Sequence, residues 1–167
     1  MSRLRRLLVS GKIFFITRNL LRTRSKFTDN DFECLAEAIR QVRKRRAFLL
    51  AGYTFMPDHW HALIAPRDGD TLPNLMDAVK VSAMRRINGR RNARGSVWQP
   101  RYFESIIWNV KGFNDTLAYM HLNPVRKGLV RRPEDWPWSS IHSYGGPAPV
   151  RLEIDQLNLP ADERTRM

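Results

Sequence analysis

Apolar positions along the chain repeat with two different periods, and the changes of period divide it into elements. Lys12 to Thr17, rich in aromatic and β-branched residues and bounded by Gly11, reads as a strand. Phe32, Leu35, Ala36 and Ile39 then recur at helical spacing behind Thr28 or Asp29 as N-cap. That helix ends in the run Arg43-Lys44-Arg45-Arg46, where positive charge suits the helix dipole. Ala47 to Met56 and His59 to Ala65 read as strands around a Pro57-Asp58 turn, the second closed by Pro66 and an Asp-Gly turn. A second helix is expected from Leu72 to about Asn88, then a basic loop from Gly89 to Gly95 and a strand from Trp98 to Trp108. The last helix begins near Gly112 to Asp115 and should falter at Pro124, because proline lacks a donor and crowds the preceding turn. This order of elements predicts an α+β fold: an antiparallel sheet with helices on one or both faces. From Pro147 onward few large apolar side chains occur, so one domain over 1–146 and a mobile tail over 147–167 are expected.

Charge narrows the choice of partner. Lys and Arg number 29 against 16 Asp and Glu, a formal charge of +13. Clustered cations of this excess bind a polyanion by releasing counterions from its phosphates. Cys34 stands alone, which excludes an internal disulfide and a thiolate zinc cluster and fits a reducing compartment. The longest apolar run of the Arg-rich N-terminal stretch, Ile13-Phe14-Phe15-Ile16, is far too short to cross a bilayer, so a cytoplasmic protein is expected.

Two clusters carry candidate chemistry. In Met56-Pro57-Asp58-His59-Trp60-His61, the imidazoles of His59 and His61 fall on one face of a strand, about 6.5 to 7 Å apart along the chain. They can converge on a cation while Trp60 points into the core. In the last helix Phe113, Leu117 and Met120 define the buried face, whereas Tyr119, Asp115, Asn123 and Arg126 gather on another. A tyrosine off the packing face suits a nucleophile, and Asn123 one turn away can bring a carboxamide oxygen to the same cation. Two nitrogens, one oxygen and open positions suit Mg²⁺ or Mn²⁺ in phosphoryl transfer. Asp58 is open to three roles: ligand, partner of a histidine, or turn residue.

Read jointly, three blocks resemble the insertion-sequence-type single-tyrosine transposases of the HUH class, and within them the REP-associated tyrosine branch. They are Gly52-Tyr53-Thr54-Phe55-Met56-Pro57-Asp58-His59-Trp60-His61, Val97-Trp98-Gln99-Pro100-Arg101-Tyr102-Phe103, and Tyr119 through Val130 with its Asn123-Pro124-Val125-Arg126-Lys127-Gly128 core. Trp136-Pro137-Trp138-Ser139-Ser140 with Tyr144-Gly145 is similar to the same branch, so the resemblance runs from Lys12 to about Gly146. It implies a ferredoxin- or RRM-like central antiparallel sheet flanked by helices. It further implies an enzyme in which His59 and His61 bind a divalent cation, with Asn123 as third ligand, and Tyr119 attacks DNA.

The expected reaction is cleavage and rejoining of single-stranded DNA beside a hairpin, through a 5′-phosphotyrosine and a free 3′-hydroxyl. Arg101, Arg126, Lys127, Arg131 and Arg132 are candidate phosphate contacts. Trp98 and Tyr102 are candidate base-stacking residues and equally candidate core, and His121 is a candidate helper or a packed histidine. A monomer or a homodimer, with the site in cis or in trans, fits the sequence. So do two rivals: a binding module of the same fold without chemistry, and a nuclease in which water attacks.

Overall fold

The computed structural model describes residues 2–157. The elements are α1 (Arg3–Val9), β1 (Ile13–Asn19), α2 (Asp29–Arg45), β2 (Phe48–Met56), β3 (His59–Pro66), α3 (Leu72–Arg91), β4 (Phe103–Ile107) and α4 (Val110–Arg126). The strands form a four-stranded sheet in the order β2-β3-β1-β4, each neighbour antiparallel to the next. This is the ferredoxin-like arrangement that the family resemblance implies, with β3 inserted between strands that the α2 crossover joins.

Strand alternation gives the sheet two buried faces. Ile16, Leu50, Phe55, Trp60 and Ile64 meet α2 through Phe32, Leu35 and Ile39, and α3 through Leu75 and Val79. On the other face Ile13, Leu49, Leu63 and Ile107 meet Leu4 and Leu8 of α1 and Phe113 and Met120 of α4. The capping residues agree with the elements: Asp31 accepts from the Thr28 backbone N–H at the start of α2 (2.8 Å), and Thr71 Oγ1 accepts from Asn74 N–H at the start of α3 (3.3 Å).

Helix α1 was not anticipated. Seven residues are too few to be helical alone, and it is held because Leu4 and Leu8 are buried under the second face. The strand expected over Trp98 to Trp108 is shorter, Phe103–Ile107, because Val97 to Gln99 pair with Leu20, Leu21 and Asn19 ahead of Pro100 rather than continuing β4. Trp98 is consequently core, 2% exposed, so its expected role in stacking a DNA base does not stand.

Pro124 does not end α4, which continues to Arg126. Proline leaves the Met120 carbonyl, four residues earlier, without its helical donor, and the Thr54 hydroxyl on β2 donates to that carbonyl at 3.0 Å. The helix then stops in a Schellman turn: Leu129 N–H donates to Pro124 O and Gly128 N–H to Val125 O, with Gly128 at φ +72°.

The mobile tail expected from residue 147 is corrected as far as Leu157, and residues 158–167 lie outside the described residues. Asp155 N–H donates to Leu50 O (2.7 Å), Asp155 Oδ2 accepts from Leu50 N–H (2.9 Å), and Leu152 and Leu157 are buried. Upstream, Phe55 N–H donates to Trp138 O, Tyr53 N–H to Ser140 Oγ, Trp136 Nε1 to Phe55 O and the Tyr144 hydroxyl to Ala51 O. The outer edge of β2 is therefore covered by the chain after α4, whereas β4 forms the other edge of the sheet.

Candidate metal and nucleophile site

The imidazoles come together because β3 starts directly after the Pro57-Asp58 turn and its alternate residues share the α4 face. Thr54, His61, Thr17 and Phe103 form one row across β2, β3, β1 and β4. Trp60, between the histidines, enters the core of the opposite face as predicted.

Each histidine is fixed through its Nδ1. Asp58 Oδ1 lies 2.6 Å from His59 Nδ1, and a carboxylate only accepts, so Nδ1 is the donor of this bond and Nε2 is turned inward toward His61. This gives Asp58 its role as orienting partner of His59. Burial would push its carboxyl up, but the bond from His59 and the charges of His59 and Lys26 hold it below the ordinary carboxylate range. The hydroxyl of Thr17 lies 2.8 Å from His61 Nδ1. Burial, reinforced by His59, pushes the His61 pKa down to about 3, so this ring is neutral. The two Nε2 atoms face each other at 3.1 Å.

Asn123 completes the set from α4. It is 3% exposed, its Nδ2 lies 3.2 Å from His61 Nε2, and its Oδ1 is buried with no hydrogen-bond partner. An orphaned carbonyl oxygen beside facing imidazole nitrogens is costly unless something fills the gap. A half-turn of the carboxamide brings Oδ1 to the place of Nδ2, against the same nitrogens. Among the described residues no group of three or more His, Cys, Asp or Glu is placed to hold a metal ion. The donor set here is imidazole, imidazole and carboxamide, and it fits a divalent cation.

Tyr119 stands over this set. Its ring is 40% exposed, with its centroid 5.8 Å from that of His61 and 6.3 Å from that of Phe15, which itself stacks on His61 at 5.2 Å. The Arg126 guanidinium lies over the tyrosine ring, 5.3 Å from its centroid. One chain thus brings His59, His61, Asn123, Tyr119 and Arg126 together. Arg101, Lys127 and Arg131 are exposed, and Arg132 is exposed with an ion pair to Asp135 at 3.1 Å.

Other candidates are occupied. His121 Nε2 bonds Ser140 Oγ at 2.8 Å, and burial, reinforced by His142, pushes its pKa down to about 4, so it ties α4 to the turn over residues 140–144. Tyr102 lies on the α3 face beneath the Arg18 guanidinium, 4.9 Å away. Sequence reading missed Thr17 and Thr54, whose roles depend on sheet register and on Pro124; no local spacing announces either.

Comparison with known proteins identifies the family. A family model described as "Transposase IS200 like" matches residues 12–123, a span that includes both histidines, Tyr119 and Asn123. The chain is 31% identical over 167 residues to the REP-associated tyrosine transposase of Escherichia coli (strain K12), covering 98% of each chain. It is 30% identical over 155 residues to a putative REP-associated tyrosine transposase of Haemophilus influenzae, covering 85% of this chain and 86% of the other. Among solved structures it is similar to a REP-associated tyrosine transposase bound to a REP hairpin: TM-score 0.71, 27% identity, 90% of each chain covered.

Proposed function

Because this chain belongs to the IS200-like transposase family, in its REP-associated tyrosine branch, and is an enzyme that cleaves and transfers DNA strands, we propose that Tyr119 is its nucleophile. The substrate of this reading is single-stranded DNA beside a hairpin, since the solved relative is bound to a REP hairpin. The observation that carries it is the meeting, within one chain, of an exposed phenol with the imidazoles of His59 and His61 and the unpartnered oxygen of Asn123.

His59 Nε2, His61 Nε2 and Asn123 Oδ1 would hold Mg²⁺ or Mn²⁺. Such an ion, when bound, polarises the scissile phosphate and disperses the charge of the leaving oxygen. Asp58 and Thr17 hold the two rings by their Nδ1 atoms with both Nε2 atoms directed inward. The Tyr119 oxygen forms a bond to phosphorus as the phosphorus–O3′ bond breaks. The phenolic proton leaves to solvent, the strand end becomes a 5′-phosphotyrosine, and the 3′-oxygen departs to become a hydroxyl. Attack by a 3′-hydroxyl reverses the step and rejoins strands, so no external energy source is required. Arg126, Lys127, Arg101, Arg131 and Arg132 supply the positive field for the phosphates. All named groups lie in one protomer, so the reading is of a monomer acting in cis, in the cytoplasm.

The test is a labelled hairpin oligonucleotide with unpaired flanks, incubated with Mn²⁺ and resolved under denaturing conditions. A covalent protein–DNA adduct is expected from the wild type and none from Tyr119→Phe. Cleavage that survives Tyr119→Phe would assign the attack to water instead.

A further inference from the structure

We infer that Phe103 is a stacking platform for an unpaired nucleobase next to the phosphate that Tyr119 attacks. The inference rests on the strand-cleavage reading of the site and adds to it a base-binding subsite.

Phe103 is 56% exposed although its neighbours in the row are not. A lone surface phenylalanine is ordinary, and the alignment is what sets this one apart. It pairs with Thr17, and Thr17 pairs with His61, so Phe103 lies on the α4 face two strands from the histidine, about 10 Å across the sheet. Its ring meets Phe15 edge-on at 6.3 Å, and Phe15 in turn stacks on His61 and meets Tyr119 edge-on. An aromatic tract therefore runs from the sheet edge to the nucleophile. The edge-on contact fixes the Phe103 ring without using both of its faces.

The surroundings fit a single strand rather than a protein segment. Phe103, Glu104, Ser105 and Ile106 are all exposed on an edge strand, and exposed Arg101 lies two residues upstream to meet phosphate. Trp98 and Tyr102, the other aromatic residues of this stretch, are spent on the opposite face. Trp108 is exposed as well, but it leans on Gly11 at the far end of β4. A π-face accepts any base, so Phe103 contributes affinity and placement with little sequence preference.

The probe is a DNA hairpin whose unpaired flank carries 2-aminopurine at each position in turn, bound to Tyr119→Phe so that no turnover occurs. One position should be quenched on binding. Adding Phe103→Ala should abolish that quenching and weaken binding on the order of ten-fold, while Phe103→Trp restores both. A thermal melt of each variant separates this from a folding defect. Unchanged affinity and unchanged fluorescence on Phe103→Ala overturn the platform and leave the cleavage reading intact. Quenching that depends on Phe103, in a protein whose wild type forms no covalent adduct, supports the platform and overturns Tyr119 as nucleophile.

Discussion

Asn123 reaches from α4 to His61 on β3, its amide nitrogen 3.2 Å from Nε2, while its amide oxygen is buried without any partner. A buried polar atom without a partner next to imidazole nitrogens fits the ligand set proposed for the divalent cation. Asn123→Ala should weaken Mn²⁺ binding by at least about ten-fold, whereas Asn123→Asp, which adds charge at the same place, should retain or tighten it. Isothermal titration of the two variants checks this, and equal affinities for wild type and Asn123→Ala would remove Asn123 from the ligand set.

Thr54 and Pro124 should be coupled in stability. Thr54→Val strands the buried Met120 carbonyl and should cost about 1–3 kcal/mol in urea denaturation. Pro124→Ala restores a backbone N–H four residues after Met120, so it should recover part of that loss in the Thr54→Val background. In the wild-type background, where Met120 already has a donor, it should gain little. A double-mutant cycle with additive effects would show that the hydroxyl is not what permits proline inside α4.

The same pair explains what was legible in the sequence. Period alone gave α2, β2, β3 and α3, and His59 with His61 could be put on one strand face from spacing two. The Pro124 rule is local, and it failed because a donor arrives from β2, sixty-six residues away in sequence. Helix α1 was invisible because its stability comes from Leu4 and Leu8 under the sheet and not from its own length. Trp98 reads equally as core or as a stacking surface until its burial is known. Phe103 cannot be told from a core aromatic in the sequence, because its exposure, unlike its identity, depends on β4 being an edge.

Acid should loosen the joint between α2 and α3. Burial of Asp31 alone would raise its pKa, but hydrogen bonds from Arg91 and from Thr28, with the charge of Arg91, hold it below the ordinary carboxylate value. The native pKa is thus lower than the unfolded one, so the stabilisation is full above the unfolded value and is lost as pH falls through the native value. Asp31→Asn should destabilise the protein by about 1.5–3 kcal/mol at pH 7. The gap between variant and wild type should then narrow as pH drops below about 4. Urea midpoints measured across that range decide it, and a pH-independent gap would mean that Asp31 acts through packing alone.

The chain from residue 147 to Leu157 should behave as part of the domain. Leu50 exchanges both of its outward backbone bonds with Asp155, the Arg43 guanidinium holds the same carboxylate at 2.7 Å, and Leu152 and Leu157 fill apolar space on the two faces. Cutting the chain after Gly146 exposes that stretch of β2 and removes two buried leucines, each contributing about 1.5–3 kcal/mol. The shortened protein should therefore melt at lower temperature. With the β2 edge partly open it should also self-associate at concentrations where the full chain does not. Asp155→Ala isolates the edge contribution, since it removes the carboxylate acceptor from Leu50 and Arg43 but leaves both leucines in place. Its loss should be smaller than that of the truncation. Equal melting temperatures for the truncated and full chains would mean that the edge of β2 is satisfied equally well by water, and that Trp138, Ser140 and Tyr144 suffice to hold it.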